Sequence, residues 1–346
     1  MINIISKSVA SGYTSGPQKV ATNLIKGLDL LNYPYCINRA LDTTSQLWIH
    51  DDVEALREVS KKKIKAVVGP NLYILPRNIP VDINFSNLIY IQPSKWSAGV
   101  WRSFGFNKCP FVYWPVGIDT YEFSERQKPT NGIVLIYFKQ RYDSELEHIK
   151  KILNELEIKH EIIIYGSYKQ SDYIEKLRNT KYLIWLGRQE SQGIALEEAL
   201  SMNVPILVWD VLNIGHWVPT NKEEKIYTPA ELLYSDTTSA YYFDDRCGIK
   251  TKNMKEIENS IHKMEENWSS FEPRKYIIEN LSLEKQTLEF INFFEKYQGI
   301  SYKTGLDEKI KNNKKWRTAR LHYKIYFYLK NIAKKVILIK RTILKK

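Results

Sequence analysis

The sequence predicts an α/β protein made of two Rossmann-like, doubly wound domains facing across a cleft, with a basic amphipathic helical tail at the C-terminus. Three observations predict it. Short apolar runs alternate with helically spaced segments twice over, separated by a polar, turn-rich break at 119–132. The stretch 182–210, YLIWLGRQESQGIALEEALSMNVPILVWD, reads as strand, loop, helix, strand, the unit of a parallel sheet. From Lys309 to Lys346 there are fourteen Lys or Arg and no acid, so a net charge of +12 leaves the preceding residues at −2.

A chain of 346 residues with 43% hydrophobic and 13% aromatic content can bury two cores and is far from a disordered composition. The expected bounds are 1–122 for the first domain, 123–132 for a linker, 133–300 for the second domain and 308–346 for the tail. Cys36, Cys109 and Cys247 are widely spaced with no C-x-x-C, which argues against a disulfide framework or a zinc site and for a reducing, cytoplasmic setting. The N-terminus reads as a strand rather than a signal peptide, and no apolar run reaches spanning length.

In order, INIIS at 2–6 is a buried strand, and the loop containing Gly12 and Gly16 leads into a helix with Val20, Leu24, Ile25, Leu28 and Leu31 at helical spacing. That loop is either a glycine loop approaching a ligand or an ordinary strand-to-helix turn. Strands follow at 45–50, 64–68 and 88–92, then a helix over SAGVWRSFGF and a last strand over PFVYWPVGID. The second series runs GIVLIYFK, a helix, HEIIIYG, a helix and then the stretch 182–210. Two helices follow a loop-rich region, the last with Leu283, Leu288, Ile291 and Phe294 on one side.

Within 182–210, Glu190 and Gly193 occupy the loop at the carboxyl end of a strand, where a helix N-terminus offers free N–H groups to an anion. Glu198 lies over a turn further into that helix. Two carboxylates bracketing bare backbone suit a sugar joined to a phosphate.

ESQGIALEEALSMNVPILV resembles the E-G-F-G-x-x-x-x-E-A signature of retaining glycosyltransferases of the GT-B fold, family 4 type. IQPSKWSAGVWRSFGF with WPVGIDT, and SGPQKVATNLIKGL, resemble further parts of that family. The resemblance implies transfer of a sugar from a nucleotide-sugar to an acceptor hydroxyl with retained configuration, no cofactor and no essential metal. It implies that Glu190 binds the donor sugar, that Gly193 and Ile194 give backbone N–H groups to sugar or phosphate, and that Glu198 holds the ribose. Lys139 and Arg141 would neutralise the leaving diphosphate, and Gln192, standing where the family has Phe, would bear on which sugar fits. Gly12 and Gly16 would approach the donor from the other side.

His50, before Asp51 and Asp52, is a candidate on the acceptor side, although Asp is also a preferred helix cap. In the tail, Leu321, Ile325, Tyr328, Ile332, Val336, Ile339 and Ile343 form one apolar stripe with basic flanks. Residues 314–346 are therefore expected to lie in an anionic membrane surface, with a partner protein or, less well matched, nucleic acid as alternatives. The expected protein is a cytoplasmic, peripherally membrane-associated glycosyltransferase acting on a lipid-linked or glycan acceptor. The alternatives are an inactive GT-B-shaped binding protein or an enzyme with a soluble or nucleic-acid-associated acceptor.

Overall fold

The computed structural model describes residues 1–11, 16–43, 46–219 and 227–297. The first unit comprises β1 (Ile2–Ile5), α1 (Lys7–Ser11), α2 (Gly16–Leu30), β2 (Tyr35–Ile37), β3 (Gln46–Ile49), α3 (Val53–Lys62), β4 (Ala66–Val68), β5 (Leu88–Gln92), α4 (Lys95–Ser103) and β6 (Phe111–Tyr113). Its strands form one six-stranded parallel sheet in the order β2-β1-β3-β4-β5-β6. Both faces are covered, so the strands read as largely apolar runs. On β3, Trp48 packs into one core while Leu47 and Ile49 pack into the other.

The second unit comprises β7 (Ile133–Lys139), α5 (Asp143–Glu155), β8 (His160–Ile164), α6 (Gln170–Arg178), β9 (Thr180–Gly187), α7 (Ile194–Ser201), β10 (Ile206–Trp209), α8 (Pro229–Leu232), β11 (Gly248–Thr251), α9 (Ile257–Asn267), α10 (Pro273–Leu281) and α11 (Leu283–Tyr297). Its five strands run parallel in the order β11-β10-β9-β7-β8. Leu183 and Trp185 of β9 face one core, and Tyr182, Ile184 and Leu186 the other. The chain leaves β7 for β8 on one side and returns to β9 on the other. The order therefore reverses at the carboxyl ends of β7 and β9, where ligands of open α/β sheets bind.

The expected strand over PFVYWPVGID is shorter in the structure, ending at Tyr113. Beyond it the chain crosses towards the second unit, and Ile118 N–H donates to Leu281 O at 2.7 Å. Gly117 packs so tightly here that a Cβ would stand 2.6 Å from Leu283 Cα. The junction is further fastened by Arg274, which donates to Phe123 O at 3.1 Å, Thr120 O at 3.2 Å and Ser201 O at 2.5 Å. Although α11 follows the second unit in sequence, it packs on the first: Phe290, Ile291 and Phe294 share a core with Ile4, Leu24 and Trp48. The expected tail and Gly12 lie outside the described residues.

Candidate functional site between the two sheets

Lys139 is the last residue of β7 and pairs in register with Gly187, the last of β9, so it stands at the point where strand order reverses. Its Nζ lies 2.5 Å from Glu190 Oε1 and 4.2 Å from the centre of the Tyr165 ring. Burial of Lys139, 9% exposed, makes this neighbouring carboxylate its main source of compensation.

The backbone of Glu190 is held at both ends. Its N–H donates to Thr238 O at 3.1 Å, and its carbonyl accepts from Trp96 Nε1 of the first unit at 2.9 Å. Thr238 is itself fixed by buried Asp210, whose carboxylate accepts from Thr238 Oγ1 at 2.7 Å, Ser239 N at 2.6 Å and Ser239 Oγ at 2.9 Å. Asp210, at the end of β10, thus orders the loop on which Glu190 hangs.

Gly193 caps α7 with φ 107° and ψ 43°, a conformation that costs a side-chain-bearing residue energy. A Cβ there would find its nearest neighbour at 3.7 Å, leaving the backbone at the helix start open to approach. Ile194 opens the helix, and its N-terminus carries the free N–H groups expected of an anion site.

Glu198 projects from α7 into a buried position, where Lys19 Nζ from α2 of the first unit meets Oε1 at 2.5 Å. Burial raises its pKa and the Lys19 ammonium opposes that rise. Neighbouring Glu197 is fully buried and its pKa is pushed up to about 8 by desolvation, partly countered by the hydrogen bond from Gln192, so it is largely protonated at neutral pH.

Two expected site residues point elsewhere. Arg141 is 1% exposed and its guanidinium is consumed by Glu145, at 2.9 and 2.5 Å, and by the carbonyls of Gly187 at 3.1 Å and Trp209 at 2.8 Å. It ties the ends of β9 and β10 to the start of α5 instead of meeting a ligand. Burial alone would raise Glu145, but hydrogen bonds from His216 and Arg141 bring it down to about 2. Gln192 is also buried: its amide accepts from Val116 N at 3.0 Å and donates to Val116 O at 2.8 Å and Glu197 Oε2 at 2.8 Å. Both its ends are spent clamping the first unit's exit segment at Val116 to α7, so it is not free to select a sugar.

His50 is buried, its Nε2 2.8 Å from Pro17 O and 3.3 Å from Asn71 Nδ2. Desolvation lowers its pKa and keeps it neutral. Asp52 caps α3 by accepting from Glu54 N and Ala55 N, and Asp51 accepts from Lys7 N and Ser8 N at the start of α1. Among the described residues no His, Cys, Asp and Glu cluster has the makings of a metal site. Gly16 begins α2 with open space about it.

Between the units opens a cleft of about 370 Å³. The first unit lines it with Pro17, Asn71, Tyr73, Gln92 and Trp96, and the second with Arg188, Gln189, Glu190 and Tyr227. The fold resembles that of sucrose-phosphate synthase from Thermosynechococcus elongatus, with TM-score 0.56 and 8% identity over 86% of this chain and 98% of that one. It also resembles the apo form of the lipopolysaccharide outer core galactosyltransferase WaaB, with TM-score 0.50 and 13% identity over 85% and 99%, and TarM, with TM-score 0.51 and 13% identity over 80% and 58%. The fold is GT-B.

The chain spans less than two thirds of TarM's length. No protein-family model and no curated protein matches the sequence. In GT-B terms, Lys139, Glu190, Gly193 and Glu198 all lie on the second sheet's side of the cleft, while Lys19 and Trp96 reach them from the first. Sequence reasoning missed Lys19, Arg188 and Asp210. Arg188 and Asp210 each follow directly on a strand end, a positional signal that was readable; Lys19 lies 179 residues from its partner and gave none. No described helix is long and apolar enough to cross a membrane.

Proposed function

We propose that this protein is a glycosyltransferase that moves a sugar from a nucleotide-sugar to the hydroxyl of a glycan or lipid-linked acceptor at a membrane surface. The observation that carries the reading is the Lys139–Glu190 pair at the strand-order reversal, beside the open helix start at Gly193. A carboxylate there can accept paired sugar hydroxyls, and the ammonium and helix N-terminus can take up negative charge as the nucleoside diphosphate departs. The names of the GT-B neighbours, a synthase of sucrose phosphate and a galactosyltransferase, support sugar transfer as the chemistry. Retention of configuration and independence of divalent metal follow the family resemblance of the 190–208 segment.

In this reading Glu198 binds the ribose, Glu190 the transferred sugar, and Gly193 with Ile194 the phosphate. The Lys19–Glu198 pair then has to open or rearrange as nucleotide enters. The basic stretch 314–346 holds the enzyme on anionic lipid, each basic side chain near the surface adding on the order of 1 kcal/mol before screening.

The test is release of nucleoside diphosphate from UDP-, GDP- and dTDP-sugars by the wild-type protein and by Glu190→Gln. Turnover with one donor that falls at least a hundredfold in the variant supports the reading; equal turnover removes Glu190 from the site. Flotation of the full chain with anionic liposomes, set against a chain ending near Asp307, tests the membrane part. Equal flotation of the two sinks it.

A further inference from the structure

Among the described residues, Arg188 is the cation lining the cleft without a carboxylate partner. It follows β9 directly, its N–H donates to Lys139 O at 3.0 Å, and it lines the cleft beside Glu190. Its guanidinium carbon sits 5.1 Å from the centre of the Trp217 ring. Among the described residues no carboxylate pairs with it, and its Nε is buried without an acceptor. Two nearby arginines are spent: Arg141 on Glu145 and two carbonyls, and Arg77 of the first unit on Glu231.

An unpaired guanidinium with a buried N–H is costly unless something supplies the acceptor. Other polar groups of the same cleft are left over too. Tyr73 Oη and Gln92 Nε2, both able to donate, are buried and without hydrogen-bond partners among the described residues. Donors from both sheets, with one fixed positive charge, make a site for an anion carrying several oxygens. A guanidinium has a planar fork of N–H donors that can take two phosphoryl oxygens at once.

We propose that Arg188, not Arg141, is the cleft's anion-binding arginine, and that its ligand is a phosphoryl group. That group belongs either to the departing nucleoside diphosphate or to a phosphorylated acceptor. The proposal uses the sugar-transfer reading only to name these two sources. The oxyanion site itself stands on the arginine's surroundings.

The probe is inorganic pyrophosphate, titrated calorimetrically into the full chain and into Arg188→Gln and Arg188→Lys. Wild type is expected to bind. Arg188→Gln should weaken binding by about ten- to a hundredfold, and Arg188→Lys should recover part of the loss, since it keeps the charge but not the fork. Thermal midpoints within a few degrees show that the fold survives, and Arg188→Lys serves if the glutamine variant does not fold.

UDP and GDP titrations separate the sources. If their affinity falls in parallel with that of pyrophosphate, the phosphoryl group is the donor's; if nucleotides bind unchanged while pyrophosphate binding falls, it is the acceptor's. Either pattern supports the site. Absence of pyrophosphate binding by wild type, or equal binding by all three proteins, overturns it. A loss of pyrophosphate binding in a protein that turns over no sugar donor supports the site while removing the transferase reading, so the two failures are distinguishable.

Discussion

Lys19 on α2 and Glu198 on α7 form an ion pair at 2.5 Å that crosses from one sheet's unit to the other. The two partners are unequal, because the Lys19 side chain is 25% exposed and that of Glu198 only 3%. Lys19→Ala leaves a buried carboxylate alone, whereas Glu198→Gln leaves an ammonium that can still reach water. Removing the lysine should therefore cost more, roughly 2–4 kcal/mol against under about 1 kcal/mol for the glutamine. Urea unfolding at neutral pH measures both. The deficit of Lys19→Ala should shrink towards pH 4, as Glu198 takes up a proton, and a deficit that is independent of pH would refute this account of it.

Arg141 gives a contrasting expectation. Its guanidinium holds Glu145 and two strand-end carbonyls in a buried network, so Arg141→Ala should destabilise by about 3–5 kcal/mol. Ligand affinity of the protein that remains folded should change little. Binding of pyrophosphate at a temperature well below the lowered thermal midpoint measures this, and a large loss of affinity with an unchanged midpoint would put Arg141 back in the site.

Glu197 sets a pH dependence. Its folded pKa is pushed up to about 8 from an ordinary 4.5, so between those values the native state holds a proton that the unfolded chain has lost. Stability from this group is therefore full below about pH 4.5 and declines as pH rises through 8. Glu145, brought down to about 2, acts in the opposite sense, losing its contribution only as pH falls below about 4.5. Glu197→Gln should flatten the alkaline decline, gaining on the order of a few kcal/mol over wild type at pH 8.5 and nothing at pH 4.5. Denaturation midpoints across that range give the readout.

Gly193→Ala separates backbone strain from ligand approach. The positive φ costs a residue with a Cβ about 1–2 kcal/mol, while the nearest atom at 3.7 Å leaves room for the methyl itself. Stability should fall by that amount. Nucleotide affinity should fall further, by roughly tenfold or more, because the methyl stands where the ligand comes close to the backbone. Calorimetric titration with the preferred nucleoside diphosphate decides; unchanged affinity would place the ligand elsewhere.

Much of the fold was readable because the strands are buried on both faces. Residues 133–138 and 182–186 appear in sequence as unbroken apolar runs, and parallel order follows from the helices between them. Glu190 and Gly193 were readable because the loop leaves a strand and enters a helix with a glycine at the turn. What could not be read was the choice between two arginines, each lying one or two residues past a strand end. Arg141 is buried because Glu145 follows four residues later on α5 and two carbonyls from other strands converge on it, and only the first of those is local in sequence. Gln192 is similar: a polar residue in a ligand loop whose partners, Val116 and Glu197, are fixed by how the units join. The apolar side of α11 was evident in part: Ile291 and Phe294 are buried as expected, but Leu288 is exposed and Phe290 is buried in its place, and the side they form covers the first sheet.

That return of α11 bears on the proposed transfer to an insoluble acceptor. Its core contacts with Ile4, Leu24 and Trp48 fasten the end of the described chain to the unit bearing Tyr73, Gln92 and Trp96. If the basic stretch 314–346 anchors to lipid as proposed above, the anchor is leashed to the first unit, and an acceptor confined to the same surface is met at a raised effective concentration.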